Sequence, residues 1–157
     1  MSRGSKVFSA TDVPESNATG YPAPHREANM KRHARRIGDF AGLKNFGVNL
    51  VRVEPGGQSS ARHAHARQDE IVHIVDGPIT LETDAGREVL ATGAWVGFPA
   101  GTGDAHRFIN TGDRDATFLV IGDRSAPEDV VYPDIDMHAT ADANGVWRYT
   151  RKDGSEL

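Results

Sequence analysis

Short β-rich runs separated by turn residues dominate the middle of this sequence. The first extends from Val48 to Val53 and ends at the turn sequence Pro55-Gly56-Gly57, and similar runs follow as far as Ile121. No part of this region has the three-and-four apolar spacing of a long amphipathic helix. Closely spaced short strands are typical of a barrel or a sandwich, so the pattern predicts an all-β fold.

The later β-rich runs alternate with turn sequences throughout this region. The predicted strands lie at about 59–65, 70–75, 79–82, 88–90, 94–98, 106–110 and 117–121. Between two of them, Asp84-Ala85-Gly86 supplies the glycine that a tight hairpin turn needs. We therefore expect neighbouring strands to pair antiparallel.

Polar segments lie on both sides of the strand-rich region. We expect an N-terminal arm over 1–43 that is partly helical, a barrel over 44–123 and a C-terminal arm over 124–157. Trp147 and Tyr149 stand in the otherwise polar C-terminal arm. Because burial of such side chains removes a large apolar area from water, we expect this arm to dock, a partner subunit's barrel being one candidate surface.

Composition limits the kinds of site that the chain can carry. The 157 residues contain no cysteine, which excludes disulfides, thiolate zinc sites, iron–sulfur clusters and cysteine nucleophiles. A chain of this length buries roughly two thirds of its unfolded surface and needs no structural metal to fold. An apolar leader and an apolar run of about 20 residues are both absent, so we expect a cytoplasmic protein with no membrane partner.

The sequence Lys31-Arg32-His33-Ala34-Arg35-Arg36 is strongly basic and could contact a nucleic acid. It is short and isolated, and no helix-turn-helix pattern surrounds it. We therefore expect a solvated, partly helical turn that packs its apolar side on the barrel or on a second subunit, and no nucleic-acid partner.

Two histidines and a glutamate occupy one face of neighbouring predicted strands. Side chains alternate between the faces of a strand, so His63 and His65 point the same way. A short turn would bring Glu70 towards both imidazoles at the start of the next strand. By the same alternation His73 points to the opposite face, so we exclude it as a metal ligand.

A second histidine-containing segment follows a glycine-rich loop. His106 stands at the head of a predicted strand, after Pro99, Gly101 and Gly103. Proline and glycine residues of this kind permit the tight turns that a close approach of the backbone to a barrel mouth requires.

Together these residues resemble the two sequence motifs of the cupin superfamily. In the first motif a glycine is followed by His-x-His, a glutamate and a second glycine, at spacings matched by Gly57, His63, His65, Glu70 and Gly77. The second motif is matched by Gly93, Pro99, Gly101, His106 and Asn110. One departure is that four residues, instead of two, separate Gly101 from His106, which affects the loop shape more than the histidine.

The resemblance covers about residues 44–123 and implies a double-stranded β-helix, the jelly-roll barrel of cupins, with extended N- and C-terminal arms outside it. It also implies one divalent metal ion held by His63, His65, Glu70 and His106. Three imidazoles and a carboxylate suit Fe, Mn, Ni, Co or Zn, whereas Ca²⁺ and Mg²⁺ prefer oxygen ligands. We expect the pocket lining to include Val72, Ile74, Phe98 and Phe108, while the strand register leaves Trp95 unassigned.

Four protein ligands leave one or two coordination positions for water, substrate or dioxygen if the metal is five- or six-coordinate. The sequence therefore favours a metal-dependent enzyme, oxygenase-like, that acts on a small oxygen-rich or aromatic molecule. The alternatives are a non-catalytic binding or sensing cupin, a sugar isomerase or epimerase, and a metal-free barrel with a structural histidine cluster. We expect a homodimer, because cupins commonly pair through their sheets and an added strand would cover an exposed edge.

Overall fold

A computed structural model describes residues 4–23 and 25–157. Residues 1–3 and 24, which belong to the predicted N-terminal arm, lie outside the described residues. The strands are β1 Glu15–Ser16, β2 Arg32–Arg35, β3 Phe46–Val53, β4 Ala64–His65, β5 Glu70–Asp76, β6 Ile79–Thr83, β7 Gly86–Leu90, β8 Trp95–Phe98, β9 Arg107–Ile109, β10 Ala116–Asp123, β11 Glu128–Tyr132, β12 Met137–Ala141 and β13 Trp147–Thr150. The helical elements are α1 Ile37–Ala41 and the 3-10 helices Ala10–Asp12 and Glu27–Asn29. No helix in these ranges has both the length and the apolar character needed to cross a membrane.

Three antiparallel sheets build the molecule. The largest has the strand order β1-β2-β3-β10-β5-β8, a second has the order β13-β12-β11-β4, and a third has the order β7-β6-β9. Strands that are distant in sequence lie side by side, as β3 and β10 do. The predicted all-β jelly-roll fold is confirmed.

Alternating apolar side chains on the central strands form the main core. On β5, Val72 and Ile74 are completely buried, and Phe118 on the adjacent β10 packs in the same cluster. The opposite face of β5 carries His73, whose ring stacks on Trp95. Burial of each large apolar side chain contributes roughly 1.5–3 kcal/mol to folding.

Most predicted strands of the barrel are present to within two residues, but the one at 59–65 is not. Only β4 forms there, and His63 makes a single bridge to His106. The Ser59 hydroxyl accepts a hydrogen bond from the backbone N–H of Phe108, at 2.9 Å. A side-chain oxygen that accepts a hydrogen bond from a backbone N–H competes with the backbone pairing of regular strands, so the segment is bent.

The basic segment forms a strand, so the expected partly helical turn is wrong for residues 32–35. β2 pairs antiparallel with β3, and Arg32 lies opposite Val53. Alternation explains this outcome, because Ala34 is buried in the core while the neighbouring side chains point outward. An N-terminal strand of the same chain therefore covers the edge of β3.

The C-terminal segment contains three strands that the sequence pattern did not reveal. They continue a sheet that begins at β4, and a second hydrophobic cluster forms there from Ala61, Val130, Tyr132, Met137 and Ala139. Tyr149 packs against this cluster, whereas Trp147 stays 42% exposed. The C-terminal segment therefore docks on its own chain.

Replacing Met137 with alanine tests the contribution of the second cluster. The Met137 side chain is 0% exposed, so Met137→Ala should lower the free energy of unfolding by about 2–5 kcal/mol through lost burial and a residual cavity. Urea denaturation followed by circular dichroism measures the change. Val146→Ala is the control, because Val146 is 64% exposed and its truncation should change stability by less than about 0.5 kcal/mol. Equal stability of the two variants would contradict the conclusion that Met137 stabilises the fold through the second cluster.

Candidate functional site

A cavity of about 300 Å³ opens between the large sheet and the second hydrophobic cluster. Barrel strands, the N-terminal arm and the C-terminal strands all contribute to its wall. Its polar lining consists of Thr19, Tyr21, Asn29, Arg32, Arg36, Asn49, Ser59, Ser60, His63, Glu70, His106, Tyr132 and Tyr149. The volume is that of a small-molecule site.

His63 lies in the cavity wall as a neutral imidazole. Burial, together with the nearby His106 and His65, lowers its pKa to about 4, although Glu70 and the hydrogen bond to Ala61 oppose the change. Its Nδ1 lies 2.9 Å from the Ala61 carbonyl oxygen, so Nδ1 is the atom that donates. The lone pair of Nε2 is therefore free to accept a proton or bind a cation.

Glu70 and His106 form a pair in the same wall. Glu70 Oε1 lies 3.2 Å from His106 Nε2, and the Phe98 ring stacks on the His106 imidazole with ring centroids 3.5 Å apart. Burial would raise the pKa of Glu70, but the hydrogen bond to His106 and the neighbouring imidazoles outweigh it and lower the pKa. The carboxylate is therefore ionised at neutral pH.

His65 lies beside the cavity instead of in its lining. Its ring centroid is 5.0 Å from that of His63, and its Nδ1 is 3.5 Å from Glu128 Oε2. Glu128 is buried on β11, and its carboxylate accepts hydrogen bonds from the backbone N–H groups of Ala66, Arg67, Gln68 and Asp129. The carboxylate thus fixes the turn that connects His65 to Glu70.

The four predicted ligands are neighbours, but their donor atoms are not gathered around one point. Across residues 4–23 and 25–157, no group of three or more His, Cys, Asp or Glu side chains is arranged to hold an ion as it stands. The donor types still suit a transition metal. In addition, the buried Nδ1 atoms of His65 and His106 have no hydrogen-bond partner among these residues. The residues therefore fit an ion in chemistry and proximity.

Of the four side chains expected to line the pocket, Phe108 lies in the cavity wall. Val72 and Ile74 share the inward face of β5 with Glu70 but belong to the core, since each step of two residues moves about 7 Å along a strand. Phe98 stacks on the His106 ring but is not part of the cavity wall. Trp95 is 57% exposed on the outer face.

Sequence reasoning missed the contributions of the two arms. Arg32, Tyr21, Tyr132 and Tyr149 line the cavity, and Glu128 supports the turn beneath it. None of these positions carried a local signal; the segment around Arg32 contains a single apolar residue, Ala34, and shows no apolar–polar alternation.

Comparison with known structures decides the family. The fold of a protein from Silicibacter pomeroyi, described as a sugar phosphate isomerase from a cupin superfamily, superposes with a TM-score of 0.91. The two sequences are 41% identical over 97% of this chain and 96% of that one. This chain belongs to the cupin superfamily. Residues 49–122 also match the family described as the cupin domain.

Other similar structures extend beyond the cupin barrel into the arms. A candidate sugar phosphate isomerase from Acidithiobacillus ferrooxidans is 30% identical, with a TM-score of 0.72 over 80% of each chain. The polyketide cyclase RemF from Streptomyces resistomycificus is 22% identical, with a TM-score of 0.67 over 83% of this chain and 86% of that one, and supports the fold alone. No curated protein matches the chain significantly.

Proposed function

We propose that this cupin is a metal-dependent isomerase that acts on a small polyhydroxylated carbonyl compound. The observation that carries the proposal is the Glu70–His106 pair, which faces a cavity lined by hydroxyl, amide and guanidinium groups. Such groups match a sugar-like molecule, which presents a hydroxyl or carbonyl oxygen on nearly every carbon.

Tyrosine hydroxyls on one side of the cavity suit this substrate. Burial raises the pKa of Tyr21 to about 12, and it also raises the pKa of Tyr132 and of Tyr149. All three remain protonated at neutral pH and can donate hydrogen bonds to substrate oxygens. A cavity built for an aromatic molecule would present fewer such donors.

His63, His65, Glu70 and His106 remain the predicted ligands of one divalent transition metal. A bound ion of this kind would polarise the carbonyl oxygen of the substrate and make the adjacent C–H bond more acidic. The identity of the metal stays open among Fe, Mn, Ni, Co and Zn. The neutral state of His63 favours binding, since no proton has to leave its Nε2 first.

Isomerisation needs only groups that move protons. Glu70 supplies the sole carboxylate in the described lining of this cavity. It can accept the proton from the carbon next to the carbonyl group and return it to the carbonyl carbon, while a proton passes between the two oxygens. The net reaction is a rearrangement that needs no oxidant, no reductant and no leaving group. Since a carboxylate has two oxygens, contact with an ion leaves one for this transfer.

Two relatives support an isomerase more than the oxygenase expected from the sequence. Both proteins described as sugar phosphate isomerases, at 41% and 30% identity, match the barrel together with the arms. The oxygenase and the non-catalytic binding module stay as alternatives for experiment. A homodimer and a cytoplasmic location also stay predictions.

The test is an isomerisation assay on purified protein loaded separately with each of the five metals. Aldose phosphates and free aldoses are supplied without dioxygen, and the ketose product is detected by NMR. We expect a ketose with at least one metal and none after chelation. Product formation only in the presence of dioxygen would favour the oxygenase, and ligand-induced stabilisation without any product would favour the binding module.

The metal assignment has a matched pair of histidine variants. His106→Ala removes a predicted ligand, so we expect the metal affinity to fall at least tenfold. His73→Ala removes a histidine on the outer face of β5 and should retain the metal content of the parent protein. Elemental analysis after dialysis against a weak chelator measures both. Unchanged metal content in the His106 variant would contradict the assignment.

A further inference from the structure

We propose that Arg32 and Arg36 form the binding site for an anionic oxygen group, a phosphate or a carboxylate, at one end of the substrate. This inference rests on the proposed function for the carbonyl end of the molecule, but its evidence lies in the N-terminal arm. The arm is outside the cupin motifs, and none of its residues is among the predicted metal ligands.

The two faces of the basic segment differ in their ion pairs. On the outward face, His33 Nε2 lies 2.7 Å from Glu54 Oε1 and Arg35 Nε lies 3.8 Å from Glu15 Oε1. On the inward face, Arg32 and Arg36 flank the buried Ala34 and line the cavity. His33 and Arg35 are therefore paired within the chain. Among the described residues Arg32 faces the cavity without such a pair, and Arg36 has only the 3.9 Å contact with Asp39.

Arg32 has no hydrogen-bond or ion-pair partner among residues 4–23 and 25–157, although protein surrounds most of its side chain. Burial lowers the pKa of its guanidinium, Arg36 lowers it further, and Tyr21 and Glu70 oppose that change. A partly buried cation without a partner is costly, and guanidinium groups bind planar carboxylates and phosphates through paired hydrogen bonds. An anionic ligand group would supply the missing partner.

Arg36 also lines a second cavity of about 520 Å³. The two cavities share Ala18, Arg32, Arg36 and Asn49 in their walls. Arg36 Nη1 is 3.9 Å from Asp39 Oδ2, and Asp39 also pairs with Arg124, which lines the same second cavity. The Arg36 side chain is 72% exposed, so most of its donors remain available to a ligand. Because Arg32, Arg36 and Glu70 line one cavity, an anionic group held by the two arginines would leave the rest of a short ligand in the cavity with Glu70.

Titration with inorganic phosphate tests the site without any turnover. Isothermal calorimetry at low ionic strength compares the parent protein with two variants, Arg32→Gln and Arg35→Gln. Arg35 lies three residues after Arg32 on the same segment, but its side chain points outward. Since a hydrogen bond to a charged group is worth a factor of roughly ten to one hundred in affinity, we expect Arg32→Gln to weaken phosphate binding at least tenfold. Arg35→Gln should change it less than about twofold. Equal losses in the two variants, or no loss in Arg32→Gln, would overturn the proposal.

A conservative variant covers the case in which Arg32→Gln fails to fold. Arg32→Lys keeps the charge but lacks the planar fork, so phosphate affinity should fall severalfold at an unchanged melting temperature. Binding of an aldose phosphate, an aldonate and the neutral aldose to the parent protein then identifies the anion. Tighter binding of either anion than of the neutral sugar, lost in Arg32→Gln, supports the site. Arg32-dependent anion binding without isomerisation would refute the proposed function alone, whereas turnover with no preference for anionic sugars would refute this inference alone.

Discussion

Glu70→Gln is expected to lower kcat for the isomerisation by about 10²–10⁴-fold at saturating metal. Removal of a positioned proton-transfer group typically costs this much, because the proton then has no acceptor next to the reacting carbon. Glutamine has nearly the same shape as glutamate and can still contact His106 Nε2, so the fold should be retained. Loss of the negative charge should also weaken metal binding, and elemental analysis measures that effect separately.

The exterior of the large sheet offers a matched control for this variant. Glu54 also pairs with a histidine, at 2.7 Å from His33, but it faces away from the cavity. Glu54→Gln should therefore leave kcat within about twofold of the parent value. Isomerisation in D₂O gives a second measurement, because a proton held on Glu70 that exchanges with solvent before it is returned places deuterium on the product carbon. A Glu70 variant with parent turnover would remove Glu70 from the proton pathway.

Glu128→Ala is expected to lower the free energy of unfolding by about 3–5 kcal/mol. The carboxylate accepts four backbone hydrogen bonds in a buried setting, three of them from the turn that joins His65 to Glu70. An unsatisfied buried donor costs about 1–3 kcal/mol, and water entering the space recovers part of the total. The turn should then become mobile, and metal affinity should fall about tenfold to a hundredfold.

Urea denaturation and metal titration measure the two effects of the Glu128 change. Glu88→Ala is the control, because Glu88 is exposed on β7 and its loss should leave stability within about 0.5 kcal/mol. Glu128→Gln should be intermediate, since its amide keeps a single acceptor oxygen. Parent-like stability of Glu128→Ala would mean that the turn is held by other contacts.

Features that depend on local spacing were predictable from the sequence. The alternation along β5 places Glu70, Val72 and Ile74 on one face and His73 on the other, as the structure shows. The same reasoning failed for Ser59 to His63, where a serine hydroxyl replaces a backbone partner. Periodicity reports which face a side chain occupies, but it does not report competing side-chain hydrogen bonds.

Features that depend on distant residues were not predictable in this way. Glu128 lies 60 residues from Gln68 along the chain, and nothing around either residue indicates that the carboxylate accepts its backbone N–H. The strands β11 to β13 are short and partly polar, so their pairing becomes evident only beside β4. Likewise, the position of Arg32 in a cavity wall follows from the pairing of β2 with β3.

The sequence by itself therefore determined the all-β class and the face that each β5 side chain occupies, because strand alternation and turn chemistry act over a few residues. The prediction that His106 joins His63, His65 and Glu70 came from the resemblance to the cupin motifs. Only the tertiary structure decided that both arms complete the site, with Arg32 in its wall and Glu128 beneath His65. The physical reason is that contacts between arms and barrel join residues far apart in the chain. Burial and hydrogen bonding in the folded molecule determine which of these residues meet, and no local sequence pattern indicates these contacts.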